Sequence, residues 1–139
     1  MNKLELRIYR GLPGSAKSTT AKKFAEEHGY LEFENDEFFM KNGKYEFSQD
    51  KAKDAANWCY NETVKALRSG KSVCVANVFV TRKSVDRYKE LAVKYGAEFT
   101  VLRSNASFGD VHDVPKAVYA SMKRVFQDYP GEIDFTPKN

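Results

Sequence analysis

Gly11-Leu12-Pro13-Gly14-Ser15-Ala16-Lys17-Ser18-Thr19 is the stretch whose reading decides the fold. It follows a strand-like run, residues 4–9, and opens into a helical pattern at Lys17. The spacing is that of the phosphate-binding pattern G-x-x-x-x-G-K-[ST], the Walker A motif, with Ala16 in place of the second glycine. The difference is one methyl group. Such a loop turns its backbone N–H groups toward phosphate oxygens, and the start of the next helix adds unpaired donors and a positive dipole end. All nine residues, Gly11 to Thr19, are therefore candidates for holding a nucleoside triphosphate. Lys17 is the point charge for the outer phosphates. Ser18 offers its hydroxyl to Mg²⁺, an ion that favours octahedral oxygen ligands bridged by phosphate.

Outward from the loop, hydrophobic periodicity predicts an alternation of elements. A helix over 17–28 ends at Gly29, and a short strand covers 30–33. Asn35 or Asp36 caps a helical turn. The segment 41–47 reads as a loop, and Ser48 as the cap of a helix over 49–69. The apolar run 72–76 suits a central parallel strand buried on both faces. Thr81 caps a helix over 83–95, a fourth strand covers 98–102, and 103–113 is a polar loop. Pro115 starts a last helix reaching about residue 128, and 130–139 is expected to be an irregular tail.

Strand–helix alternation of this kind implies an α/β fold. With the loop, it predicts a P-loop NTPase three-layer sandwich: a small parallel sheet of about four strands with helices on both faces, in a single domain over 1–139. Right-handed crossovers bring the strand C-termini to one edge, where ligands bind. The phosphate loop, Asn35-Asp36-Glu37 and Asn77 should meet there.

Composition narrows the class. A chain of 139 residues with 42% hydrophobic and 30% charged residues is an ordinary globular domain. A net charge of +4 and a pI near 9.0 are compatible with a polyanionic partner. Cys59 and Cys74 lie in apolar contexts without metal-ligand spacing and read as buried free thiols. The N-terminal residues lack a secretion-type apolar stretch, and no apolar run approaches a membrane span. A cytoplasmic location, the host cytoplasm if the gene is a phage's, is the expectation.

The acceptor side is read from the sheet edge. Asp36 follows the second strand and is the candidate general base for an acceptor hydroxyl; its structural alternative is a cap of the turn. Glu34 and Glu37 are weaker candidates, because one side of a short turn faces away from the cleft. Asn77 stands where many P-loop enzymes carry a metal-binding Asp. It can hydrogen-bond substrate, metal-bound water or Asp36, or simply saturate turn backbone. Candidate cations are Arg82, Lys83, Arg103, Lys116, Lys123 and Arg124. Phe33, Phe38, Phe39, Tyr45 and Phe47 surround the Asp36 turn, either as base-stacking platforms or as core. His112 reads as a structural loop residue.

Together these segments resemble the P-loop kinase family that includes phage polynucleotide 5′-kinase domains and small ATP-binding proteins of the AAA type. The resemblance spans about residues 3–129 and also draws on Trp58-Cys59, Ser69-Gly70-Lys71-Ser72-Val73, Ala76-Asn77-Val78-Phe79-Val80-Thr81 and Val111-His112-Asp113-Val114-Pro115. It implies ATP as donor, Mg²⁺, catalytic roles for Lys17 and Asp36, and transfer to a hydroxyl. Three departures thin the expected charge. Phe39 occupies the place of an arginine, Asn77 that of an acid, and 104–109 lack the lid arginine. Arg82, Asn77 and Phe39 remain the substrate-side candidates.

The reading this supports is an ATP-dependent, polynucleotide-kinase-like phosphotransferase acting on a nucleic acid, nucleotide or modified base. A kinase for a small metabolite or sugar nucleotide is the first alternative. A non-catalytic nucleotide-binding switch is the second.

Overall fold

The computed structural model describes residues 3–41, 44–45, 49–107 and 114–137. The run ahead of the phosphate loop forms β1 (Glu5–Arg10). β1 pairs in parallel with β5 (Val73–Asn77) on one side and β6 (Glu98–Ser104) on the other. β2 (Leu31–Phe33) adds beyond β5, and β7 (Ile133–Phe135) beyond β6, giving the parallel order β2-β5-β1-β6-β7. Because β1 is the middle strand and covered on both faces, Leu6, Ile8, Tyr9 and even Arg10 are at most 1% exposed. The apolar run at 73–76 is buried throughout, as its composition predicts.

Alternate residues of the central strands feed two cores. Leu6, Ile8, Val73 and Val75 pack with Cys59 and Leu67 of α2 (Ala52–Arg68) and with Val85 and Leu91 of α3 (Arg82–Tyr95). Tyr9, Cys74 and Ala76 pack with Ala21 and Ala25 of α1 (Lys17–His28). Helices therefore cover both faces, which makes the three layers. α4 (Lys116–Val125) buries no residue. Both cysteines are free and buried.

Several boundaries differ from the sequence reading. The tail at 130–139, expected to be irregular, carries β7 and raises the sheet to five strands. Three residues are too short for a periodicity signal. The strand forms because Gly131, at φ +85°, turns the chain back against the open edge of β6. Phe135 then meets the Tyr9 ring edge-on at 6.2 Å.

α4 stops at Val125 rather than near 128, because the Gln127 N–H donates to the Val80 carbonyl and pulls the chain out of the helix. The helix expected from residue 49 begins with a 3₁₀ turn, Gln49–Lys51, before α2 proper. Asn77 closes β5 instead of following it, and β6 runs on to Ser104 into the expected loop. β3 (Met40–Lys41) and β4 (Lys44–Tyr45) make a two-stranded antiparallel ribbon inside the expected 41–47 loop. Phe47, the Ser48 cap and His112 lie outside the described residues.

Candidate active site

The phosphate loop is tied to the sheet from both ends. The Gly11 N–H donates to the Val78 carbonyl, and the Ser104 hydroxyl donates to the Ser15 carbonyl at 2.6 Å. A Cβ at Gly11 would stand 2.6 Å from Ser15 Oγ and 3.3 Å from Ser104, so only glycine lets the loop close here. Ala16 sits at φ +62°, the left-handed region the usual glycine would fill without strain. No side chain caps α1, and no acidic residue stands in its first turn. Its first N–H groups are thus left for an anion.

Lys17 is largely buried, which pulls its ammonium below the ordinary lysine range; Glu34 and Asp36 oppose that. Both residues line the same cleft as Lys17. The donor set fits a triphosphate with its metal: a desolvated lysine, a hydroxyl at Ser18 and a helix start without a protein cap. Ser18 would help hold a divalent cation there, and that cation would supply neutralisation of phosphate charge.

Asp36 lies in the 3₁₀ turn Asn35–Phe39 that follows β2. The Glu34 N–H donates to Glu37 Oε1 at 3.1 Å, so Glu34, rather than Asn35 or Asp36, sits at the head of the turn. The backbone N–H of Asn35 donates to Asn77 Oδ1 at 2.8 Å, fixing the turn to the end of β5. Glu34 does not face away from the cleft, as the shortness of the turn suggests. Its carboxylate accepts from Ser18 Oγ at 2.6 Å and pairs with Lys22. Lys22 also meets Glu32 at 3.1 Å. Carboxylate oxygens of Glu32, Glu34 and Glu37 come within 4.8 Å of one another. Burial, with Glu34 beside it, pushes the Glu32 carboxyl up to about 9. Burial also acts against Glu34, but its neighbours Glu32, Lys22 and Ser18 outweigh it and hold that carboxyl below the usual range.

A cleft of about 890 Å³ opens beside Lys17 and Ser18. Asn35, Asp36 and Asn77 line it, with the chain from Val78 to Thr81 and one face of α3. That face carries Lys83, Asp86, Arg87 and Glu90. Arg87 is not among the cations that sequence reasoning singles out; its place four residues after Lys83, on the helix that follows β5, is the available signal. It is set in place by Asn57 Oδ1 at 3.0 Å and the Tyr60 ring at 4.0 Å.

The other substrate-side candidates lie elsewhere. Arg82 donates to the Asp128 carbonyl at 2.7 Å and is not among the cleft-lining residues. Phe39 is 4% exposed and packs edge-on against Phe38, which leans on Trp58. Phe33 meets Trp58 edge-on. These three rings are packing under the turn and not platforms in the cleft. Arg103 is engaged by Asp128 and Glu132. Lys116, Lys123 and Arg124 are exposed on α4, outside the cleft lining.

The sequence profile of the AAA domain family matches residues 6–129. The chain belongs to that family. Within this AAA domain the matched span takes in the phosphate loop, the Asp36 turn, Asn77 and the α3 face. An uncharacterised protein of Pasteurella multocida is 29% identical over 143 residues, covering 90% of this chain and 78% of its own. Among solved structures, a protein of Chloroflexus aurantiacus assigned to the kinases superposes with a TM-score of 0.72 at 20% identity, covering 99% of this chain and 86% of that one. A chain of the Pnkp1/Rnl/Hen1 RNA repair complex gives 0.60 at 19% identity, covering 94% of this chain and 42% of that one. At these identities the structural likenesses speak for the fold, which is that of the P-loop kinases. No helix among the described residues is long and apolar enough to cross a membrane.

Proposed function

We propose that this AAA domain is an ATP-dependent phosphotransferase that moves the γ-phosphate to a hydroxyl of a nucleic acid, nucleotide or modified base. The observation that carries the reading is that Lys17 and Asp36 line one cleft, of nucleotide size, beside the phosphate loop. In the proposed step the acceptor oxygen bonds the γ-phosphorus, the bond from that phosphorus to the β–γ bridging oxygen breaks, and ADP leaves. Asp36 orients the acceptor hydroxyl and takes its proton. Lys17 and the N–H groups at the start of α1 offset the charge on the phosphates, the main demand of this chemistry. The basic pI and the resemblance to polynucleotide kinases favour a nucleic-acid-type acceptor.

A small-metabolite or sugar-nucleotide acceptor is the second reading, and the α3 face favours it. Lys83 and Arg87 alternate there with Asp86 and Glu90, whereas a groove for a polyanion is dominated by positive charge.

A labelled-phosphate screen from ATP tests both readings. The acceptors are 5′-hydroxyl oligonucleotides, modified DNA, nucleosides and sugar nucleotides. Lys17→Ala is expected to lower ATP affinity about 10- to 100-fold, the worth of a charge-assisted contact. Asp36→Asn is expected to retain ATP and lose transfer; undiminished transfer would remove it as the base. Tight ATP binding with no transfer to any acceptor would leave a nucleotide-binding module.

A further inference from the structure

We propose that Glu34 is the carboxylate of the magnesium site, orienting Ser18 and supplying the negative charge that Asn77 lacks. The inference rests on the nucleotide-binding reading above and concerns one residue within it.

The Ser18 hydroxyl has one proton and two lone pairs. Its proton is committed to Glu34 Oε1 at 2.6 Å. A hydroxyl fixed in this way has its lone pairs left for a cation, which is how an outer carboxylate orients a metal ligand. Glu34 also lines the cleft together with Lys17 and Ser18.

The rest of the local structure holds Glu34 to that task. Its side chain is 12% exposed, and its other oxygen pairs with Lys22. Lys22 is braced in turn by Glu32 Oε1 at 3.1 Å. The Glu34 N–H is held by Glu37 Oε1. Lys22 thereby holds one carboxylate oxygen in place, and the other is presented to Ser18.

Asn77 is engaged differently. Its Oδ1 accepts from the Asn35 N–H, and its Nδ2 lies 3.8 Å from Cys59 Sγ. It brings no charge, and its side-chain oxygen already serves the turn that carries Glu34. The acid expected at the end of β5 is thus replaced by one just after β2. β2 and β5 are neighbours in the sheet, so the exchange keeps the charge on the same edge.

The test separates metal from nucleotide. Binding of a fluorescent ATP analogue to the full chain is measured in EDTA and across a Mg²⁺ titration, for wild type and Glu34→Gln, with Mn²⁺ spin resonance as a direct count of bound metal. Glu34→Gln is expected to bind the metal-free analogue at least as tightly as wild type, because it takes a negative charge away from beside Lys17. Its Mg²⁺ and Mn²⁺ affinities should fall about 10- to 100-fold, the usual loss for an outer carboxylate. Metal affinities within about twofold of wild type would overturn the assignment. Should Glu34→Gln lose its cooperative melt, Glu34→Asp keeps the charge but withdraws the oxygens from Ser18. It should lose metal affinity at least about threefold, and an undiminished affinity there would overturn the assignment as well. A wild type that binds no nucleotide would overturn the phosphotransferase reading and this inference together.

Discussion

The side-chain oxygen of Asn77 accepts a hydrogen bond from the backbone N–H of Asn35 at 2.8 Å, joining residues 42 positions apart. It is the link between the end of β5 and the turn that carries Asp36. Asn77→Ala leaves that part-buried N–H without its acceptor, at a cost of about 1 kcal/mol. Urea unfolding should show the loss, and transfer should fall more than ATP affinity, because the turn and not the phosphate loop is loosened. Asn77→Asp keeps the acceptor oxygen and should unfold near the wild-type midpoint. Equal damage from both variants would show that the amide group, not the oxygen, matters.

Ala16 carries the strain that a glycine would avoid. Its φ of +62° costs a β-carbon residue about 1 kcal/mol or more. Ala16→Gly should therefore stabilise the protein, by up to about 1 kcal/mol after the larger chain entropy of glycine in the unfolded state is set against it. The Thr20 N–H and hydroxyl both donate to the Ala16 carbonyl, so the first turn of α1 survives the change. A lower melting temperature for Ala16→Gly would mean that the methyl packs usefully in the loop.

Much of this arrangement is legible in the sequence, for identifiable reasons. The loop at 11–19 has fixed spacing, and α1 spans the residues that periodicity assigns to it. The apolar run at 73–76 is buried on both faces of a central strand. What stays hidden are partners set by tertiary contact. In sequence Glu34 is one acid among three, until the approach of α1 and β2 sets it against Ser18. Arg10 has the look of the polar end of a strand, yet it is fully buried. β7 is three residues long, below the length at which alternation can be read. Phe38 and Phe39 have the composition of a stacking platform, and only the position of Trp58 decides that they are packing.

The Glu32 carboxyl gives a pH dependence of defined sign. Burial, with Glu34 alongside, pushes it up to about 9, whereas the unfolded chain titrates it near the ordinary carboxylate value. Between those two values the folded state holds a proton that the unfolded state has lost, so stability falls as pH rises. Glu32→Gln cannot lose that proton. Its unfolding midpoint should fall less steeply than wild type between about pH 5 and 9. Parallel curves for the two proteins would show that Lys22 already keeps Glu32 ionised in the fold.

Arg10 and Glu132 form a buried pair with unequal partners, and the inequality predicts which loss is worse. Arg10 is 0% exposed; it donates to Glu132 Oε1 at 2.8 Å and to the Phe79 carbonyl, and lies 4.4 Å from the Phe126 ring centre. Glu132 also accepts from Arg103 at 3.2 Å and from the Tyr129 N–H at 3.1 Å. Removing the acid leaves a buried guanidinium uncompensated, which typically costs about 3–5 kcal/mol. Removing the arginine leaves a carboxylate that still has Arg103 and a backbone donor. Glu132→Ala should therefore destabilise by about 3 kcal/mol or more, and Arg10→Met by clearly less, since Glu132 keeps Arg103 and the Tyr129 N–H. The double variant should fall well short of the sum of the two. Urea midpoints measured at low and high salt check this, because a pair so enclosed should respond only weakly to ionic strength. Equal losses for the two single variants would mean that Arg103 and Tyr129 do not hold Glu132 once Arg10 is gone.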